Sequence, residues 1–108
     1  MISLEQFNQV ELRIGEVRAA EPIAGSDRLL KLTVDLGSDI RTVVGGLAKS
    51  YRPEELLGLK VVIAANLRPV RIRGIESKGM LLGVGCEQAA NISLLTVHRS
   101  AANGALVS

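Results

Sequence analysis

Leu30, Leu32, Val34 and Leu36 alternate with Lys31, Thr33 and Asp35. Alternation with a period of two puts every apolar side chain on one face of an extended strand, with a core on one side and water on the other. Gly37-Ser38-Asp39 follows, and a second extended run, Ile40 to Val44, returns from it. Glycine and small polar residues between two such runs predict a hairpin. This is the clearest strand pair in the chain, and it commits the fold to sheet.

The remaining segments read in the same terms. Ser3-Leu4-Glu5-Gln6 has the form of a capping box and predicts a short helix from Leu4 to about Gln9. Phe7 and Val10 share one face of it, as a plug over one end of a core would. Glu11 to Ala20 alternates with a change of phase: Val10, Leu12 and Ile14 share one side, Val17 and Ala19 the other, and Gly15 stands at the change. A glycine there predicts a bulge or bend, as when one strand serves two halves of a barrel. Pro22 to Asp27 reads as a loop, and Gly45-Gly46-Leu47-Ala48 ends the third strand. Pro53-Glu54-Glu55-Leu56-Leu57-Gly58 is a single helical turn, with Pro and acids at its start and Gly just past its end. Leu59 to Ala65 is a buried strand, and Met80, Leu82 and Val84 alternate with Leu81, Gly83 and Gly85 in another. A turn at Gln88 to Asn91, a short strand from Ile92 to Val97 and a last apolar segment, Ala105-Leu106-Val107, complete the chain.

Five principal strands with a helical turn between the third and fourth predict an all-β fold. The order is that of a five-stranded oligonucleotide/oligosaccharide-binding (OB-fold) barrel, here with a short N-terminal helix and as one domain over residues 1–108. In that fold the loops between strands 1 and 2 and between strands 4 and 5 flank the binding face. The 4–5 connection runs from Asn66 to Met80 and carries Arg68, Arg71, Arg73 and Lys78 against a single acid, Glu76. Such a local excess of positive charge is where a polyanion would be held.

Composition narrows the ligand. The formal net charge is only +2, so any electrostatic binding must come from placement of the basic residues. Phe7 and Tyr51 are the only aromatic residues, which leaves little for a platform that stacks unpaired bases. Chemistry is equally constrained. Cys86 and His98 are single of their kind, so no metal site is expected. His98 reads as a surface residue and Cys86 as a small packing residue at a strand end. Gly45-Gly46-Leu47-Ala48-Lys49-Ser50 lacks the glycine before Lys that a phosphate loop requires. No paired carboxylates and no nucleophile with a base are evident, so neither catalytic residues nor a cofactor are expected. One cysteine, no long apolar run and no secretory start make a cytosolic protein without a membrane span the expectation.

With these residues in place, the chain resembles the tRNA-binding domain family, found free-standing and as the C-terminal appendage of methionyl-tRNA synthetase. The markers are Glu11-Leu12-Arg13-Ile14-Gly15, Gly25-Ser26-Asp27-Arg28-Leu29, Gly45-Gly46-Leu47 and, most specific, the run from Asn66-Leu67 through Pro69, Arg71, Arg73-Gly74 and Ser77 to Gly79-Met80. Members commonly have Lys where this chain has Arg28 and Ser where it has Gly45. The resemblance implies a binder of folded tRNA that recognises the outer corner of the L shape, often a dimer, with a synthetase as a candidate partner.

Carried over residue by residue, it implies phosphate contacts from Arg71 and Arg73, hydrogen bonds from Asn66 and Ser77, and apolar contact from Met80. Lys78 adds charge to the same stretch, and Arg28 and Lys31 are secondary contacts beside the 1–2 loop. Two of these have a plain structural alternative: Asn66 as a turn-shaping residue and Met80 as core. A competing function is an export-related chaperone that binds unfolded peptides on the same barrel, a family the chain resembles more distantly. Apolar residues between Ile92 and Val107 read either as a dimer edge or as closure of the chain's own barrel.

Overall fold

The computed structural model describes residues 1–87 and 91–108, so the turn expected at Gln88 to Asn91 lies largely outside the described residues. The first hairpin forms as its alternation demands. Strand β2 (Leu30–Asp35) buries Leu30, Leu32 and Val34, half-exposes the residues between them, and pairs antiparallel with β3 (Ile40–Gly45).

Strand β1 (Leu12–Pro22) joins two halves of the sheet. Its first part pairs with β4 (Lys60–Ala64) and its second with β2, and Glu16 faces both Lys60 and Asp35. The bend is one strand serving two partners, but the bulge lies at Arg18, between Val17 and Ala19, rather than at Gly15. Gly15 answers a different need. A Cβ there would lie 2.4 Å from Val34 Cγ1, so only glycine lets the strands curl this closely. The bulged Arg18 turns outward and its Nη2 donates to Asp35 at 2.8 Å. Asp35 also accepts from the Gly37 amide, and these two bonds hold its carboxyl below the usual carboxylate range, the backbone bond most.

Helix α2 (Pro53–Leu56) covers one end of the curl. Its Leu56 is fully buried among Val17, Leu30, Leu32, Val43, Val61 and Ile63, an entirely aliphatic core. The Gly58 amide donates to the Val17 carbonyl at 2.8 Å and fixes the helix to β1. The main sheet runs β3-β2-β1-β4-β7, with β7 being Met80–Leu81, and its two end strands pack against each other to make a curled half-barrel.

Departures from expectation have local causes. Helix α1 spans only Leu4–Phe7, closed by the predicted capping box. Phe7 and Val10 are both 41% exposed, so they do not plug the core; Leu56 already occupies that role at one end. Strand β1 continues through Pro22, where a loop was expected to begin. The stretch from Asn66 to Met80 is no open loop: β5 (Val70–Ile72) and β6 (Ile75–Ser77) form a hairpin. The expected strand from Met80 to Val84 is broken after Leu81, and β8 (Gly83–Val84) leaves the main sheet to pair with β9 (Ser93–Leu94). Only that piece of the predicted Ile92–Val97 strand forms. Strand β10 (Leu106–Val107) pairs with the start of β1. Cys86 is exposed rather than packed.

Candidate nucleic-acid interface

The hairpin β5–β6 turns on Arg73 and Gly74, both with positive φ (53° and 79°). Two successive residues of that kind match the right-handed twist of the strands they join. Glycine adopts such a conformation freely, whereas arginine there costs on the order of 1–3 kcal/mol and persists only where the surroundings impose it. The surroundings are visible. Ile72 and Ile75 on either side of the turn pack on Ile23, Leu29 and Val44, a second small apolar cluster outside the main core. The hairpin is thereby laid against the 1–2 loop. Arg73 Nη1 lies 3.6 Å from the position a Cβ on Gly25 would take.

Two bonds clamp the base of the hairpin to β3. The Val44 amide donates to Ser77 Oγ at 3.0 Å, and the Lys78 amide donates to the Thr42 carbonyl at 2.9 Å. Ser77 is 5% exposed, which removes it from direct contact with a ligand and makes it a positioning residue. Ser77→Ala should cost about 1–3 kcal/mol, because it strands a buried amide donor. Equilibrium unfolding in urea measures this, and a loss below about 0.5 kcal/mol would mean the bond does not hold the hairpin.

Asn66 is engaged in the same way. Its Oδ1 accepts from the Glu11 amide at 2.8 Å and its Nδ2 donates to the Gln9 carbonyl at 2.7 Å. It staples the chain ahead of β1 to the end of β4, the structural alternative raised by its place at a turn. Arg41, which sequence reasoning passed over, does similar work on the other side. It donates to the carbonyls of Ala65 and Lys78 and pairs with Asp39 at 2.9 Å. That pairing, first through the Arg41 hydrogen bond, keeps the Asp39 carboxyl below its ordinary range. Nothing near Arg41 in sequence signals these partners, since Ala65 and Lys78 are brought to it only by the folded sheet.

The cations remain outward. Arg71 is exposed, with Nη1 donating to the Gly74 carbonyl at 2.8 Å, which orients the guanidinium along the hairpin edge. Its other N–H donors are left for a ligand. Lys78 is exposed beside Glu76 at 3.6 Å, a surface pair of small energetic weight. Lys31, Arg41 and Lys78 line a polar cleft of about 430 Å3 between the hairpin and the β2–β3 sheet. Arg68 and Met80 line an apolar groove on the hairpin's other side, with Leu67 and Val70. Met80 is 50% exposed, so it belongs to a groove wall and not to the core. Arg28 stands apart from these, against Gly46 at the end of β3. Thus Arg71, Arg73, Lys78 and Lys31 are gathered by the hairpin, Arg28 and Met80 flank it, and Asn66 and Ser77 support it.

Among the described residues, no group of three or more His, Cys, Asp or Glu side chains could hold a metal ion. No described helix is long and apolar enough to cross a membrane.

Comparison with known proteins places the chain in a family. A family model described as "Putative tRNA binding domain" matches residues 12–106. The methionine–tRNA ligase of Deinococcus radiodurans is 47% identical over 107 residues, and that of Caldanaerobacter subterraneus 44% identical over 107 residues. Each alignment covers 99% of this chain but only 16% of the relative. A methionyl-tRNA synthetase-related protein from Pyrococcus horikoshii superposes with a TM-score of 0.92 at 34% identity, covering 100% of this chain and 98% of that one. The chaperone CsaA of Bacillus anthracis superposes with a TM-score of 0.89 at 31% identity, over 100% and 99% of the two chains. With the match reaching from the first residue of β1 into β10, the chain belongs to the tRNA-binding domain family.

Proposed function

We propose that this chain binds folded tRNA through the β5–β6 hairpin and catalyses nothing itself. One observation carries the reading. A positively charged hairpin is packed and hydrogen-bonded onto the barrel, so Arg71 and Arg73 are presented on a fixed scaffold beside the 1–2 loop. Guanidinium groups held this way pair with phosphates, bidentate where the backbone allows. Lys78 and Lys31 continue the track, and Arg28 and Met80 meet the RNA to the side. Asn66 and Ser77 act by holding the frame. With so few aromatic residues, recognition rests on shape, phosphates and 2′-hydroxyls.

Four phosphate contacts give a salt slope near −3 to −4 on log axes, using roughly 0.9 per neutralised phosphate as an upper guide. Retention of tRNA on filters over a salt series measures it. A slope near zero would remove the phosphate track.

The relatives are methionine–tRNA ligases of which the chain spans a small part. In this reading the protein works in the cytoplasm, either as part of such a synthetase or beside one. Self-association accompanies binding in this reading. Met1, Ile2, Leu4, Phe7 and Val10 are exposed apolar residues at the N-terminus, and Leu106 and Val107 on the two-residue edge strand β10 are exposed as well. Val10 lies two residues before Leu12, the strand partner of Val107, so the two patches share one end of the molecule. A two-fold interface there would cover both. Sedimentation at micromolar concentration gives a dimer on this account, and Phe7→Asp gives the monomer.

A second reading has one observation in its favour, the likeness to a chaperone over the full chain. It ranks lower because the cationic hairpin has no role in holding an unfolded apolar peptide. Protection of an unfolding client by protein that retains no tRNA would reverse the order.

A further inference from the structure

Beside the hairpin lies a cavity of about 280 Å3 that the phosphate track does not use. Its floor is aliphatic, made by Leu47, Leu81, Ile92 and Leu94, and its wall is the backbone of Gly45 and Gly46. Met80 and Arg28 stand at its sides. Gly46 is what lets Arg28 lie close: a Cβ there would be 3.2 Å from Nη1 and 3.7 Å from Cγ, so the side chain runs along the glycine. A planar guanidinium held against a backbone wall beside an apolar floor is a stacking partner for a flat ring. The cavity is also continuous with the hairpin, because Val44 and Met80 line both it and the groove that holds Arg68 and Val70.

We propose that this cavity receives a single unstacked nucleobase of the bound RNA, with Arg28 and Met80 on its faces. The inference rests on the tRNA-binding reading and deepens it. The size suits it, lying just below the roughly 300–1,000 Å3 of pockets that take drug-sized ligands. Charge also favours a nucleotide. Arg28 is the one ionic group among the described lining residues, and the adjoining groove holds Arg68, where a phosphate next to an extruded base would lie. Folded tRNA offers unpaired bases in its loops, and single bases displaced from a stack are what RNA-binding proteins read most often. A chain that lacks aromatic platforms can still hold one base in this way.

Two perturbations fill the cavity without touching the hairpin. Gly45→Leu adds a side chain whose Cβ has its nearest contacts, Leu47 and Leu81, at an ordinary 3.4 Å. Alkylation of Cys86, exposed and on the cavity lining, does so after folding is complete. Each should weaken tRNA binding on the order of tenfold, with the salt slope unchanged, and bound tRNA should slow the alkylation of Cys86 by N-ethylmaleimide. Affinity within twofold of the unmodified chain in both cases would overturn the proposal. So would protection of Cys86 by an unfolded peptide and not by tRNA, which would make the cavity a peptide site. If the unmodified chain retains no tRNA, the underlying reading falls and this one with it. Retention that both perturbations leave intact removes only the base pocket.

Discussion

Reversing Arg71 and Arg73 together, as Arg71→Glu with Arg73→Glu, should weaken tRNA binding on the order of 10–100-fold near physiological salt. Two phosphate contacts vanish and two repulsive ones replace them. The salt slope should flatten by about 1.8, or roughly 0.9 for each lost contact. Neither side chain is buried, and neither bonds across to the barrel, so the fold should survive. An equal change of charge at Lys49 and Arg52, both exposed near α2, should cost less than threefold. That pairing separates a local contact from the protein's overall field, which is small at a net charge of +2. A loss below threefold in the Arg71/Arg73 variant would remove the hairpin from the interface.

The largest effect on stability is expected at Leu56. Its side chain is 0% exposed and is surrounded by both halves of the curled sheet. Leu56→Ala should cost about 3–5 kcal/mol, the transfer of the lost methyls plus the cavity left behind. Against a typical total of about 5–15 kcal/mol, that is a large share. Leu57, the next residue, is 54% exposed, and its replacement by Ala should change stability by less than about 0.5 kcal/mol. Urea unfolding of the two variants measures the contrast. Near-equal losses would mean that α2 is not the cap on the core.

Most of the framework was legible because it is local. The β2–β3 hairpin, α2 with Pro at its start and Gly58 past its end, and the buried β4 are each written in a few consecutive residues. Gly58 indeed takes the positive φ expected of such an end. The β5–β6 hairpin was hidden by its turn. Asn-Gly or Asp-Gly announces a two-residue turn, whereas Arg73-Gly74 sets an arginine where φ must be positive. The packing of Ile72 and Ile75 on Ile23 and Leu29 of the 1–2 loop and on Val44 of β3, all distant in sequence, imposes it.

The site was legible in part for the same reason. The sequence brought Arg71, Arg73 and Lys78 together by proximity and named Lys31 as a secondary contact, and the folded sheet sets Lys31 across one cleft from Lys78. Ser77 looked available for a ligand because its partner, Val44, lies 33 residues away. Asn66 spans 55 residues to Glu11. Arg41 escaped notice because its carbonyl partners are distant in sequence. Phe7 and Val10 show the opposite error. Apolar residues on one helical face were read as a plug over the core, and they lie on the surface.

In this proposal a packed hairpin reads a folded RNA and not a flexible strand. Retention of tRNA against single-stranded RNA of the same length, in one gel-shift series at fixed salt, tests that most directly. On this account tRNA is bound at least tenfold more tightly, and the Arg71/Arg73 reversal brings it down to the level of the single strand. Equal retention of the two RNAs by the unmodified protein would contradict it.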